Sequence, residues 1–254
     1  MTVLNSAVPN KEIGMAREII ASRQLADRNH TIFVDHGFLC RKDYWSVGMN
    51  GVNRKADFFT LDAPDRWEKL GIELLPWKPA AEGKHVLIIG QCPDDPQVMF
   101  SDHWGWVKRT IRSAKNLNLP ILFRPHPRAR VKYDSGLFVG AEVVDPNTDL
   151  LDLVDNARIV WTFNSTVGIT SVIRGVRTIT EDCHSMVWGR GLAYASWGYY
   201  LGQSSWEPHE EARVAWARQL AYSQWTTEEI ASGMVWDHMY RRYFHASTNR
   251  VRPS

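Results

Sequence analysis

The chain has 254 residues, 44% of them hydrophobic, and its 30 basic and 28 acidic residues leave a net charge of +2 at pH 7. This length suits two small domains or one large α/β unit, and the charge is not that of a protein that coats nucleic acid in bulk. The three cysteines, Cys40, Cys92 and Cys183, form no CxxC pair, so neither a disulfide framework nor a zinc knuckle is expected.

The same composition bears on where the protein resides. The N-terminus lacks the basic-then-apolar pattern of a signal peptide. No apolar run approaches the roughly 20 residues that a membrane span needs. Unpaired cysteines suit a reducing compartment. We therefore expect a soluble protein of the cytoplasm without a membrane span.

The first 80 residues predict few regular elements. An apolar stripe at helical spacing predicts a helix over residues 10–28, and "HTIFVDHG" predicts a strand that ends at Asp35 and His36. A stretch rich in Gly and Asn follows, which predicts a loop or a hairpin. "DAPDRWEKLGI" predicts a short helix that Asp62 caps and Gly71 ends. "LPWKPAAEGKH", with two prolines and a glycine, is interpreted as a linker.

Strands alternate with short helices from residue 84 to 182, which predicts a doubly wound α/β sheet. Ligands of such sheets bind at the carboxyl ends of the strands. Polar residues follow each of the predicted strands in "HVLIIGQ", "PILFRPHP", "RIVWTFNS" and "VRTITED". We therefore expect chemistry from separate strands to meet at one edge of the sheet.

The residues after Glu207 predict helices in "EEARVAWARQLAYS" and in "TTEEIASGMVWDHMYRRYF". Thr226 and Glu229 have the spacing of a capping box at the start of the second helix. Three regions result: residues 1–80 with few regular elements, residues 81–206 with a Rossmann-like alternation of strands and helices, and residues 207–254 with C-terminal helices.

His126 is the first candidate for a site residue. It lies between two prolines at the end of a predicted strand, beside Arg124, Arg128 and Arg130. Proline restricts the backbone on both sides, and arginine matches phosphate oxygens with its forked donors. A purely structural histidine is the alternative. The cluster of cations favours an anion site.

Two further segments fit such a site. Asn164, Ser165 and Thr166 lie between a strand and a helix, where hydroxyl and backbone N–H groups bind anions or cap the helix. Gly90 and Gln91 follow another strand, and a glycine there lets the backbone approach a ligand. Since neither GxGxxG nor GxxxxGK[ST] occurs, the usual dinucleotide site and a P-loop are disfavoured.

Candidates for acid–base chemistry lie in the first region. Asp35 or His36 can deprotonate an acceptor hydroxyl, and a turn Asp with a solvated His is an equal alternative. Arg41, Tyr44 and Trp45 can contact the acceptor. No GxSxG elbow, HExxH motif or His/Cys cluster is found in the sequence, so a hydrolase and a protein-held metal are not expected.

Four stretches together resemble a known family: "VLIIGQCPDD", "ILFRPHPRAR", "TFNSTVGITSVIRGVRTIT" and "LAYSQWTTEEIASG". Their order and spacing resemble the capsule-polysaccharide glycosyltransferases related to bacterial Kdo transferases, which have the GT-B architecture. The resemblance implies an α/β, GT-B-like fold of two Rossmann-like halves facing a cleft. It implies that residues 1–80 form a reduced acceptor-side domain, that residues 81–206 form the nucleotide-sugar-binding domain, and that helices of residues 207–254 pack across the domains.

The resemblance also implies a donor site and a reaction. It assigns nucleotide and phosphate binding to residues of the His-Pro and Ser/Thr motifs and places the Gly-Gln strand end in the same cleft, and Glu181 is added because it follows the last strand. The predicted donor-binding residues are Gly90, Gln91, Arg124, His126, Pro127, Asn164, Ser165, Thr166 and Glu181. We expect transfer from a nucleotide sugar, taken as a UDP-sugar with a CMP-sugar as the alternative, without cofactor or metal.

The acceptor is a separate expectation. The short first region resembles compact phage enzymes of this kind, which implies 5-hydroxymethylcytosine in double-stranded phage DNA and a location in the host cytoplasm. Arg41, Tyr44, Trp45, Arg128 and Arg130 are the predicted acceptor contacts, and basic residues from Lys108 onward would follow the DNA backbone. A capsule or other glycan acceptor, and a non-catalytic nucleotide-binding protein, are the alternatives.

Overall fold

The computed structural model describes residues 2–5, 31–79, 81–93, 95, 97–98, 101–129, 138–189, 192–195 and 209–248. The predicted helix over 10–28 and the predicted site residue Arg130 lie outside these ranges. The chain divides into two compact units: unit 1 comprises residues 1–72 and 214–254, and unit 2 comprises residues 73–213.

The elements are numbered along the chain. The strands are β1 (Thr2–Asn5), β2 (Thr31–His36), β3 (Tyr44–Met49), β4 (His85–Ile89), β5 (Ile121–Arg124), β6 (Glu142–Val143), β7 (Ala157–Thr162), β8 (Arg177–Thr180), β9 (Tyr194–Ala195) and β10 (Gln224–Thr226). The α-helices are α1 (Asp65–Leu70), α2 (His103–Ala114), α3 (Leu150–Asn156), α4 (Val167–Ile173), α5 (Glu210–Ala221), α6 (Thr227–Ala231) and α7 (Met234–Thr248).

Unit 1 contains a sheet of order β1-β2-β3-β10. β1 is parallel to β2. β2 and β3 form an antiparallel hairpin, one of the two possibilities, loop or hairpin, that the sequence had predicted for the residues after β2. β10, which lies near the other end of the chain, pairs antiparallel with β3. Ile32, Val47, Met49, Trp225 and Met239 form the buried core, so the residues after 214 complete the fold of this unit.

Different capping residues lie at the ends of the helices of unit 1. Gly71 ends α1 in the left-handed conformation with φ +63, as predicted. The predicted cap at Asp62 is wrong: α1 begins after Pro64, and Asp62 instead accepts a hydrogen bond from Arg218 at 3.3 Å. The capping box of Thr226 and Glu229 is confirmed.

The predicted single helix after Thr226 is interrupted. α6 ends at Ala231, and α7 begins at Met234. Gly233 lies between them with φ +82. A residue in this region of backbone conformation ends an α-helix, and glycine adopts it without a steric penalty.

Unit 2 contains a parallel sheet of order β6-β5-β4-β7-β8-β9. Counted from the first strand of the unit, this order is 3-2-1-4-5-6, the order of the Rossmann fold. The predicted doubly wound α/β sheet is therefore confirmed, and β9 is an additional short strand. The order reverses between β4 and β7, which is the switch point where ligands of such sheets bind.

The apolar run of β4 explains why this sheet forms. Val86 and Ile88 pack into a core with Trp106, Phe123 and Trp161 on one face. Leu87 and Ile89 pack into a second core on the other face, with Val154, Val160 and Val176 among its members. Because alternate residues of a strand point to opposite faces, a strand covered on both sides must be apolar throughout.

Candidate functional site

The carboxyl ends of the central strands of unit 2 lie level with one another. Ile89 of β4 pairs with Arg124 of β5 and with Thr162 of β7, and Thr162 pairs with Thr180 of β8. Each of the predicted polar groups begins at or just after one of these residues. The structure therefore places them along one edge of the sheet, on either side of the switch point.

Gln91 and Asn164 join the two strands at the switch point. The Gln91 side-chain amide donates to Asn164 Oδ1 at 2.8 Å, and the Asn164 backbone N–H donates to Gln91 Oε1 at 3.0 Å. Both residues are buried, at 7% and 6% exposure. A buried amide needs such partners, so this pair fixes the geometry of the crevice.

The hydrogen bonding continues to the end of β8. The Asn164 side-chain amide donates to Asp182 Oδ2 at 2.8 Å. Asp182 Oδ1 lies 2.7 Å from His184 Nδ1 and also accepts the backbone N–H of His184 at 3.0 Å. A chain of polar contacts thus connects the ends of three strands, and its last member, His184, is only partly buried.

His103 supports the other side of this pair. The backbone N–H of Gln91 donates to His103 Nε2 at 3.1 Å, at the first residue of α2. Burial lowers the pKa of His103 to about 4, so the ring is neutral at physiological pH and can accept this bond. The ring stacks on Trp106 with 5.2 Å between ring centroids.

His126 lies in a turn after β5. Its Nδ1 accepts the backbone N–H of Arg128 at 3.1 Å, and its carbonyl accepts the N–H of Ala129. A neutral imidazole that accepts through Nδ1 carries its proton on Nε2. The side chain is half-buried, while Pro127 and Arg128 are exposed at the same edge.

Arg124 makes a different contact from the one predicted for a donor-binding residue. Its guanidinium donates to the backbone carbonyls of Pro146 at 2.7 Å and Thr148 at 3.3 Å. Burial lowers the pKa of Arg124, and the charge of Asp149 raises it in part. The side chain thereby holds the loop before α3.

Gly90 is required by packing against β5. Its N–H donates to the Arg124 carbonyl at 2.9 Å, and an added Cβ would lie 2.9 Å from the ring of Phe123. A larger residue would therefore displace the aromatic ring. This contact explains the glycine without requiring that its backbone touch a ligand.

Ser165 and Thr166 occupy the turn between β7 and α4. Ser165 Oγ accepts the N–H of Val167 at 3.2 Å, so this serine makes a local turn contact. Thr166 is the N-cap residue, has helical backbone angles, and makes no side-chain capping bond. Of the two hydroxyl groups predicted to cap or to bind an anion, only that of Ser165 bonds to the start of the helix.

Glu181 presents an acceptor that no described residue satisfies. Its backbone N–H donates to the carbonyls of Thr162 and Phe163, both at 3.1 Å, which fixes the residue at the end of β8. Its Oε2 atom is buried and has no hydrogen-bond partner among the described residues. A buried carboxylate oxygen without a partner is costly, so this atom is available to accept a hydrogen bond from a group outside the described residues.

The predicted catalytic residues of unit 1 lie at the end of β2. Asp35 Oδ1 accepts the backbone N–H of His36 at 2.7 Å. The His36 ring stacks on Trp45, with 5.5 Å between centroids and 14° between planes. The indole N–H of Trp45 donates to Thr227 Oγ1 at 3.2 Å. Of the other predicted acceptor contacts in this unit, Arg41 is exposed and Tyr44 is half-buried.

The sequence placed Asp182 at this edge, next to Glu181 at the end of the last predicted strand, but gave no role to it. His184 and His103 were not predicted as parts of this edge. Nothing in the sequence around His103 indicated its role, because a histidine at a helix start has no local mark of contact with a residue twelve positions earlier.

Among the described residues, no helix is both long and apolar enough to cross a membrane.

Comparison with known proteins gives a structural likeness. No family model and no curated protein sequence matches the chain. Among solved structures, the beta Kdo 2,7 transferase of Thermosulfurimonas dismutans KpsC matches with a TM-score of 0.54 and 17% identity, over 81% of this chain and 77% of that one. The beta Kdo 2,4 transferase of the same KpsC matches with a TM-score of 0.54 and 12% identity, over 92% and 86%. This likeness confirms the predicted α/β, GT-B-like fold class.

Proposed function

We propose that the protein is a glycosyltransferase that transfers a sugar from a nucleotide-sugar donor to an acceptor hydroxyl. The observation that carries this proposal is the level row of polar strand ends in unit 2, with the Gln91–Asn164 pair at the switch point. The fold shared with the two Kdo transferase structures supports it, because that fold serves sugar transfer in both.

The donor is held by the end of the parallel sheet in this proposal. The buried Oε2 of Glu181, which has no hydrogen-bond partner among the described residues, accepts a hydrogen bond from a donor hydroxyl. His126, Pro127, Ser165 and Thr166 surround the phosphate. Asn164 acts by fixing the shape of the crevice, because its side chain is already bonded to Gln91 and Asp182.

His126 assists departure of the nucleotide. When the bond between the anomeric carbon and the donor oxygen breaks, negative charge develops on the leaving phosphate. The Nε2–H of His126 donates to that oxygen, and its orientation is set by the bond that Nδ1 accepts from Arg128 N–H. The exposed guanidinium of Arg128 adds positive charge, so the transfer needs no metal.

The acceptor hydroxyl is activated by Asp35 or His36 in this proposal. The proton of the hydroxyl passes to one of these side chains as the new bond to the anomeric carbon forms. Trp45 is half-buried beside His36 and contributes an aromatic side chain that a base or a sugar ring can contact.

The acceptor itself has two candidates. Lys108, Arg109 and Arg112 are exposed on α2, and this basic face favours DNA that carries 5-hydroxymethylcytosine. The likeness to two Kdo transferases favours a glycan acceptor and an acidic sugar donor instead. The salt dependence of binding distinguishes DNA from a glycan acceptor, because binding to DNA phosphates weakens steeply as the salt concentration rises.

One assay tests donor and acceptor together. The full chain is incubated with hydroxymethylcytosine DNA or with acidic oligosaccharides, each with UDP-hexoses or with CMP-Kdo, and the products are weighed by mass spectrometry. A mass gain of one sugar on either acceptor identifies both substrates. Donor binding without any incorporation would instead favour a nucleotide-binding protein without catalytic activity.

A substitution of His126 distinguishes a role in the transfer reaction from a role in folding. We expect His126→Gln to bind the donor and to lose at least about tenfold in kcat, the scale of general acid–base assistance and charge stabilisation. The matched control is His209→Gln, which alters an exposed histidine of unit 2 that lies outside the strand ends. Normal turnover by His126→Gln would remove its proposed role.

A further inference from the structure

Asp182, Cys183 and His184 converge in a tight turn directly after β8. The backbone N–H of Ser185 donates to the Asp182 carbonyl at 3.0 Å, which closes the turn. In a strand, consecutive side chains would point to opposite faces. Here each of the three offers one ligand atom, and these atoms all lie within 4.8 Å of one another.

The separations are close to those that a metal ion requires. His184 Nδ1 lies 2.7 Å from Asp182 Oδ1 and 4.0 Å from Cys183 Sγ. Tetrahedral zinc with bonds of about 2.0 Å to nitrogen and oxygen and about 2.3 Å to sulfur places such pairs about 3.3 and 3.6 Å apart. To bind one ion, the His184 and Asp182 atoms, now at hydrogen-bond distance, would move apart by about 0.6 Å, and the His184 and Cys183 atoms would approach by about 0.4 Å.

The carboxylate is already oriented by groups outside the cluster. Asn164 Nδ2 donates to Asp182 Oδ2 at 2.8 Å, and Asn164 is itself fixed by Gln91. The backbone N–H of His184 donates to Asp182 Oδ1 at 3.0 Å. Partners of this kind hold metal ligands in position and raise the affinity of the site.

We propose that Asp182, Cys183 and His184 form a binding site for Zn²⁺ with an open fourth position. A thiolate with an imidazole selects zinc over magnesium or calcium, which prefer oxygen ligands. Three protein ligands with one open position are the pattern of zinc sites that also bind water or a further ligand. This proposal departs from the expectation that the protein holds no metal, which was drawn because a cysteine beside a histidine lacks zinc-finger spacing.

This inference is independent of the proposed transfer reaction. In that proposal, His126 and Arg128 stabilise the negative charge of the leaving phosphate. The metal ion binds in addition, at the same edge of unit 2. Loss of metal binding and loss of sugar transfer are therefore separate outcomes.

Cobalt provides a spectroscopic test. The full chain, free of a histidine tag and treated with reductant and EDTA, is titrated with Co²⁺ after removal of the chelator. We expect one equivalent to bind, with a thiolate-to-cobalt charge-transfer band in the near ultraviolet and visible bands of tetrahedral Co²⁺, both abolished by added Zn²⁺.

Substitutions assign the ligands. Cys183→Ser removes the charge-transfer band, and His184→Ala or Asp182→Asn weakens binding at least about tenfold. Cys40→Ser, which alters another exposed cysteine, leaves the spectrum unchanged. Absence of Co²⁺ binding, or a charge-transfer band that survives in Cys183→Ser, would overturn the proposal. Circular dichroism of each variant verifies that it is folded.

Discussion

Gln91 and Asn164 exchange two hydrogen bonds across the switch point of the parallel sheet, and both are almost completely buried. The pair connects residues 73 positions apart in the chain. It therefore sets the separation of β4 and β7 at the edge where the proposed donor binds.

We expect Gln91→Ala and Asn164→Ala each to lower the free energy of unfolding of unit 2 by about 1–3 kcal/mol, because each leaves a buried polar partner unsatisfied. The double variant should cost less than the sum, since it removes both partners. Urea denaturation measures all three. Asn156→Ala, whose amide bonds locally to Asp152, is the control and should change stability by less than about 1 kcal/mol. Strict additivity would show that the two amides do not interact.

Arg66 and Glu229 form a forked ion pair in unit 1. The two bonds are 3.0 and 2.9 Å long, and the side chains are only 11% and 10% exposed. We expect Arg66→Met to destabilise unit 1 by about 3–5 kcal/mol, because the buried carboxylate of Glu229 loses both bonds of its ion pair with Arg66. The double variant, Arg66→Met with Glu229→Leu, should lose less free energy of unfolding than Arg66→Met alone, because no unpaired buried charge remains. Lys69→Ala, which removes an exposed contact to the same carboxylate, should cost less than about 1 kcal/mol. Equal losses in all three variants would contradict this account.

The same pair predicts sensitivity to acid. Burial by itself raises the pKa of Glu229, but hydrogen bonds from Arg66 and from the Thr226 N–H outweigh it and hold the pKa below the ordinary value of 4.5. The stabilisation is therefore fully present above pH 4.5 and is lost as the pH falls through the lowered value. Stability curves of wild type and Glu229→Gln, measured between pH 7 and pH 3, should converge at the acid end. A constant difference at every pH would count against the ion pair as the cause.

His103 predicts a pH dependence in unit 2 at higher pH. The folded state keeps the ring neutral down to about pH 4, whereas the unfolded chain binds the proton near 6.5. The unfolded state therefore binds more protons in this window, and stability falls as the pH is lowered from 6.5 to 4, by up to about 3 kcal/mol. His103→Gln keeps an acceptor for Gln91 N–H and should show a shallower slope. His238 of unit 1 also has a pKa of about 4, because of burial and the charge of Arg242, and is unchanged in this comparison.

Gly175 and Gly71 form a matched pair for backbone strain. Both have positive φ, at +67 and +63. An added Cβ at Gly175 would lie 2.0 Å from the Pro76 carbonyl oxygen, whereas at Gly71 it would meet nothing within 4 Å. Gly71→Ala should cost about 1–2 kcal/mol through its backbone alone. Gly175→Ala should cost about 1–3 kcal/mol more, because the chain at Pro76 must move. Chemical denaturation compares them, and equal costs would refute the contact with Pro76.

The shortest strands of the protein could not be predicted from the sequence. β9 has two residues and β10 has three, so neither carries a recognisable alternation of its own. Gln224 and Trp225 form a strand because β3 presents an unpaired edge to them. The interruption at Gly233 was equally hidden, since a glycine within a helical pattern is often tolerated.

The amino-acid sequence by itself indicated the alternation of strands and helices in unit 2 and the polar residues that follow the strands. Continuous apolar runs such as Val86–Ile89 can be buried only in a sheet covered on both faces, and parallel strands bring their carboxyl ends to one edge. Only the tertiary structure decided which of those polar side chains meet. Gln91 bonds to Asn164, Arg124 turns to the loop at Pro146, and Asp182 joins His184, because register and side-chain direction depend on contacts between segments far apart in the chain.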